Sequence, residues 1–107
     1  MINIEDFKKI EIRIGMVKSV EKIEGADRLL KFVFDMDGEE RQIISGIAES
    51  YPDLGALIGK QVPIIVNLEP RTIKGHESMG MVLAVDADGL PVLLTPDREV
   101  PTGSLVR

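Results

Sequence analysis

Ile10-Glu11-Ile12-Arg13-Ile14-Gly15-Met16-Val17-Lys18-Ser19-Val20-Glu21-Lys22-Ile23 decides how this chain folds. Ile10, Ile12, Ile14 and Met16 alternate with Glu11, Arg13 and Gly15, the period of a strand with one face buried. The apolar phase then shifts to Val17, Val20 and Ile23. A slip of phase at a glycine predicts a bulge at Gly15, which lets one long strand bend.

On its N-terminal side, Asn3-Ile4-Glu5-Asp6-Phe7-Lys8-Lys9 predicts a short helical turn. Asn3 is suited to cap it, and Glu5 and Asp6 suit the positive end of the helix dipole. On the other side, Leu29 to Phe34 and Arg41 to Ser45 flank Asp35-Met36-Asp37-Gly38 and read as a hairpin. Met81 to Val85 and Leu90 to Leu94, around Asp86-Ala87-Asp88-Gly89, read as another. Between them, Gly46 to Tyr51 predicts a short helix stopped by Pro52, and Val62 to Val66 an apolar strand in which Pro63 favours an edge or a strand start. Pro91, Pro96 and Pro101 predict an extended C-terminal segment packed on the body. The pattern is all-β: a five-stranded OB-fold β-barrel, with a short helix between strands three and four and a short N-terminal helix. A β-sandwich is the runner-up, but it generally needs about seven strands.

The chain has 107 residues, which fits a single domain over 1–107. Hydrophobic residues make up 44% and charged residues 29%, the balance of an ordinary soluble protein. No apolar run approaches the roughly 20 residues of a membrane span, and the N-terminus lacks a signal pattern, so a cytoplasmic location without a membrane partner is expected. The absence of Cys excludes disulfides, zinc knuckles and thiol catalysis, and the lone His76 excludes paired-His metal motifs. Lys and Arg number 13 against 18 Asp and Glu, a net charge of -5. That total argues against a polycation that coats nucleic acid without selectivity.

Little in the chain resembles an active site. The Asp35/Asp37 and Asp86/Asp88 pairs lack the spacing of an EF-hand and fit hairpin turns. Gly46 and Gly55 belong to no phosphate-cradling motif. No catalytic residue, metal or cofactor is expected. Phe32 and Phe34 share one face of a predicted strand, which places them in the core rather than on a base-stacking platform. The informative segment is Asn67 to Met81, read as a long polar loop between apolar strands. Arg71 and Lys74 suit phosphates there, Asn67 and Ser78 suit a sugar or base, and Met79 or Met81 suits a base face.

Asp6-Phe7-x-Lys9-Ile10-Glu11-Ile12-Arg13-Ile14-Gly15 is followed in order by Ala26-Asp27-Arg28-Leu29-Leu30, Arg41-Gln42-Ile43-Ile44-Ser45-Gly46-Ile47-Ala48 and Val66-Asn67-Leu68-x-Pro70-Arg71. Gly75-x-Glu77-Ser78-x-Gly80-Met81, Leu94-x-Pro96-Asp97 and Val100-Pro101-x-Gly103 complete the series. Together these blocks resemble the tRNA-binding domain family over nearly the whole chain. Gly46-Ile47-Ala48-x-x-Tyr51 and the Pro-Asp tail are most similar to its methionyl branch, which comprises the C-terminal domain of methionyl-tRNA synthetases and a free-standing tRNA-binding protein. The resemblance implies an OB-fold that reads the L shape of tRNA without catalysis. It also implies a homodimer whose C-terminal segments help form the interface, and an aminoacyl-tRNA synthetase as a further partner. By position it implies RNA contacts at Asn67, Arg71, Lys74, Ser78 and Met81, and at Lys31, Arg41 and Ser45 on the first hairpin. Glu24-Gly25 departs from the pattern, standing where a His-Pro pair often precedes the Ala-Asp block.

Charge is unevenly spread. From Lys60 to Gly75 the balance is Lys60, Arg71 and Lys74 against Glu69, or +2, whereas the tail from Leu83 to Arg107 carries Arg98 and Arg107 against four acids, or -2. An RNA site would therefore be local and basic. The alternative is a protein-binding module, either a chaperone-like dimer or a synthetase docking subunit, weakly favoured by the acidity and the 5 Met residues.

Overall fold

A computed structural model describes residues 1–107. After the helical turn α1 (Ile4–Phe7) come β1 (Ile12–Ile23), β2 (Ala26–Asp35), β3 (Glu40–Ser45) and β4 (Gln61–Ile65). Then follow β5 (Arg71–Ile73), β6 (His76–Ser78), β7 (Met81–Val82), β8 (Ala84–Ala87), β9 (Leu90–Leu93) and β10 (Leu105–Val106). Asn3 caps α1 as expected, its Oδ1 accepting the Asp6 N–H at 2.9 Å.

The long strand does join two neighbours. Its first half pairs with β4, from Ile12 opposite Ile65 to Met16 opposite Gln61, and its second half pairs with β2. The sheet runs β3-β2-β1-β4-β7. The bulge is not at Gly15, however: register shifts between Val17 and Ser19, leaving Lys18 as the extra residue, and again between Lys22 and Ile23. Gly15 serves packing instead. A Cβ there would stand 2.5 Å from Ile64 Cδ1 and 2.7 Å from Met36 Sδ, so its absence lets those side chains fill the barrel.

The inward faces meet in one core of Val17, Leu30, Phe32, Phe34, Ile43, Leu57, Val62 and Ile64, among others. Phe32 and Phe34 are wholly buried and stack with ring centroids 5.1 Å apart, as their shared strand face predicts. Between β3 and β4 the expected helix is realised as two 3₁₀ turns, Ala48–Ser50 and Leu54–Leu57. Pro52 separates them, because the residue before a proline is driven out of the α region; Tyr51 sits at φ -133° and ψ 74°. Tyr51 then accepts the Leu93 N–H at its hydroxyl, 2.9 Å away, tying β9 to the body.

The barrel closes between β3 and the Glu77–Met79 backbone. Met79 N donates to Gln42 O at 2.8 Å, Gln42 Nε2 to Glu77 O at 2.9 Å, and Ile44 N to Ser78 Oγ at 3.0 Å. At the far end the tail straps back onto β1: Ile14 N donates to Ser104 O at 2.9 Å, Gly103 N to Ile14 O at 2.7 Å, and β10 pairs with Ile12 and Arg13. This strap leaves Ile4, Ile10, Leu94, Leu105 and Val106 exposed.

Candidate nucleic-acid interface

The segment read as a long loop is a hairpin. Arg71 lies opposite Ser78, Thr72 opposite Glu77 and Ile73 opposite His76. Lys74 and Gly75 turn it with φ of 50° and 82°, the signs that a type I′ turn needs at both central positions. Asn, Asp or Gly takes that conformation at less cost than lysine. The strained residue therefore places a cation at the apex.

Arg71 and Lys74 are exposed, and the ion pairs of the chain are made by other cations. Arg71 also borders an open hollow of about 430 Å³ shared with Leu68, Glu69, Pro70 and Met81. Leu68 is 41% and Met81 39% exposed. An apolar floor beside a guanidinium fits the face of an unstacked base next to its phosphate. Leu68 was missed in the sequence, where a leucine inside a polar run has no signal distinguishing a platform from core.

Lys31 points outward from β2, with Nζ 2.8 Å from Glu21 Oε1. The Glu21 carboxyl is held below its usual range, first by the hydrogen bond from Lys31 and then by that residue's charge, with His76 adding to the effect. Lys31 lies across the ladder from Ile44, whose N–H reaches Ser78 Oγ in β6. The charge of Lys31 is shared with Glu21. Ser45 is half-buried, paired across the ladder with the buried Leu30.

Three residues expected at the RNA surface make framework hydrogen bonds. Ser78 is 1% exposed; its Oγ accepts the Ile44 N–H and donates to Gly80 O at 3.3 Å, which leaves no face for a sugar. Asn67 uses both ends of its amide, accepting the Glu11 N–H at 2.8 Å and donating to Lys9 O at 2.7 Å. Arg41 pairs with Glu39 at 3.1 Å and donates through Nη1 to Val66 O at 2.9 Å and Met79 O at 3.0 Å. Ser78 and Arg41 are engaged at the barrel's closing seam, and the exposed Asn67 ties the end of β4 to the start of β1; each of these contacts is long-range in sequence. The structure therefore leaves Arg71 and Lys74 exposed at the base and tip of one hairpin, with Met81 of β7 sharing the hollow beside Arg71.

A family model described as a putative tRNA-binding domain matches residues 12–105. The chain belongs to the tRNA-binding domain family. This tRNA-binding domain is 51% identical over 107 residues to a methionine–tRNA ligase of Streptococcus pneumoniae serotype 4, covering 98% of the chain and 16% of the ligase. It is 49% identical over 106 residues to that of Archaeoglobus fulgidus, with the same coverage. The chain thus spans about 16% of the length of these curated relatives and is homologous to the C-terminal domain of methionyl-tRNA synthetase. Among solved structures, a MetRS-related protein from Pyrococcus horikoshii superposes with a TM-score of 0.93 at 36% identity, covering 100% of this chain and 98% of that one. The chaperone CsaA of Bacillus anthracis gives 0.90 at 31% identity, covering 100% and 99%. Both likenesses span the whole barrel and tail. No helix of the tRNA-binding domain is long and apolar enough to cross a membrane.

Proposed function

We propose that residues 1–107 act as one non-catalytic, cytoplasmic module that binds tRNA by shape, in the form of a homodimer. The observation that carries the reading is the β5–β6 hairpin, which projects Arg71 and the strained Lys74 without a carboxylate partner from a domain of net charge -5. Cations unmatched by acids are the groups that release counterions when they meet phosphate. Leu68 and Met81 offer the neighbouring apolar face to an unstacked base. With little bulk attraction from the rest of the surface, binding depends on geometry matching the folded tRNA. The synthetase relatives make methionyl-tRNA synthetase the natural setting for such a module, either as its appended domain or as a docking partner.

The dimer reading rests on the strap. Leu105 and Val106 border hollows on both sides of β10, one with Ile4, Phe7 and Ile10 and the other with Pro63, Leu94 and Val100. A second copy of the same surface would cover both. Two hairpins on one rigid body then engage a single tRNA with a gain in effective concentration.

The test is a salt series on tRNA binding by Arg71→Ala/Lys74→Ala. Removing two phosphate contacts flattens the slope of log K against log salt by roughly 0.7–0.9 per contact. An unchanged slope would show that these residues do not meet phosphate. A peptide-binding reading has one observation in its favour: Val85, Leu90 and Val92 expose an apolar face on the β8–β9 hairpin. It wins if unfolded polypeptide binds and tRNA does not.

A further inference from the structure

We propose that Arg41 is the positioning residue of the tRNA-binding hairpin, a latch that joins the point where the chain leaves the barrel to the point where it returns. The proposal rests on the tRNA-binding reading above. A single guanidinium nitrogen, Nη1, donates to the carbonyl of Val66, which precedes the excursion, and to that of Met79, which ends it.

The hairpin needs such a tie. It has three cross-strand pairs of its own, and a two-stranded hairpin of that size is marginal in water. Its bonds to β3 through Gln42 and Ser78 all hold the returning strand. Of the hydrogen bonds that β3 makes to this region, Arg41's alone reaches the departing side, at Val66, next to Asn67, which is itself held by Lys9 and Glu11. That limb, Asn67 to Pro70, carries Leu68 and leads into Arg71, so its placement sets both the apolar floor and the guanidinium beside it.

Arginine is suited to this task. Arg41 faces inward, opposite the buried Phe34, at the rim of the barrel. Its fork is planar with donors in fixed directions, and Nε spends its proton on Glu39, which fixes the plane and balances the charge. Two buried-side carbonyls are then met by one nitrogen. A lysine keeps the charge but lacks the rigid fork. With its charge matched and its side chain only 20% exposed, Arg41 acts on RNA through the hairpin rather than on phosphate.

Amide hydrogen exchange and tRNA titration at several salt concentrations, on wild type, Arg41→Gln and Arg41→Lys, test the latch. The expected result for Arg41→Gln is exchange about tenfold faster at the hairpin amides, with those of Leu30 and Phe32 unchanged. Its tRNA affinity falls about tenfold, or about 1.4 kcal/mol, at an unaltered salt slope. Arg41→Lys falls between the two, and it decides the question if Arg41→Gln does not fold. Hairpin exchange that stays at the wild-type rate in both variants overturns the proposal. So does a slope lower by about one in Arg41→Gln with full affinity kept in Arg41→Lys, the pattern of a direct phosphate contact. If wild type does not bind tRNA, the tRNA reading fails by itself, while the exchange data still decide whether Arg41 holds the hairpin.

Discussion

Replacing Ser78 by alanine separates a framework role from an RNA contact at a position where the family resemblance implies the contact and the side chain is buried in the fold. The side chain is 1% exposed, and its Oγ receives the Ile44 N–H at 3.0 Å while donating to Gly80 O. Alanine fills nearly the same space, so no sizeable cavity opens. What changes is that the Ile44 amide, at the closing seam of the barrel, loses its acceptor in an interior from which water is excluded. An unsatisfied buried donor costs about 1–3 kcal/mol. Taking about 2 kcal/mol, and an unfolding entropy near 2.1 cal/mol/K per residue over 107 residues, the melting temperature falls by roughly 9 °C. Calorimetry or thermal circular dichroism measures the shift, and a tRNA titration well below the transition measures binding in the same sample. The expected outcome is a large loss of stability with the salt slope of tRNA binding unchanged. A melting temperature within about 2 °C of wild type, together with lost tRNA binding, would refute the reasoning and return Ser78 to the RNA surface.

Other substitutions probe the fold, the electrostatics and the assembly. Gly80 has φ of +143°, and a Cβ there would stand 2.7 Å from the Ile65 carbonyl oxygen; Gly80→Ala therefore lowers stability by roughly 1–3 kcal/mol, read as a lower urea midpoint. Glu21→Gln frees Lys31 and steepens the salt slope of tRNA binding by about one where Lys31 then meets phosphate. Because the folded Glu21 carboxyl titrates below its ordinary value, its pairing with Lys31 is present above the unfolded value and is lost as pH falls through the lowered folded one. Acidification should therefore mimic Glu21→Gln in wild type and have no such effect in the variant. Leu105→Asp places a charge on the apolar strap, and under the proposed dimer it shifts sedimentation towards monomer.

Much of the barrel was legible because local chemistry and final structure agree there. Asp37-Gly38 and Asp88-Gly89 both take positive φ, as Asp-Gly pairs in two-residue hairpin turns do, and the Phe32/Phe34 alternation fixes the inward face of β2. The third such turn was hidden by its residue type. Lys74-Gly75 has the same backbone signs, but lysine is no turn former, so Asn67–Met81 reads as a loop. The bulge was misplaced for the opposite reason. A glycine attracts that interpretation, whereas the bulge at Lys18 needs no special residue, and Gly15 answers to Ile64 and Met36, which arrive from elsewhere in the chain. The candidate site divides along the same line. Arg71 and Lys74 keep the exposure that their chemistry advertises. Arg41, Asn67 and Ser78 look equally suitable for RNA in the sequence, and the hydrogen bonds they make within the fold come from partners far away in the chain, which the sequence does not reveal.

The central claim is that a net-acidic barrel reads tRNA by its folded shape through a small cationic hairpin. A gel-shift titration of the protein with folded tRNA and with the same tRNA unfolded, at two salt concentrations, tests it most directly. The account predicts clearly tighter binding to the folded form at both salts, weakening as salt rises. Equal affinity for the two forms, or no salt dependence, would contradict it.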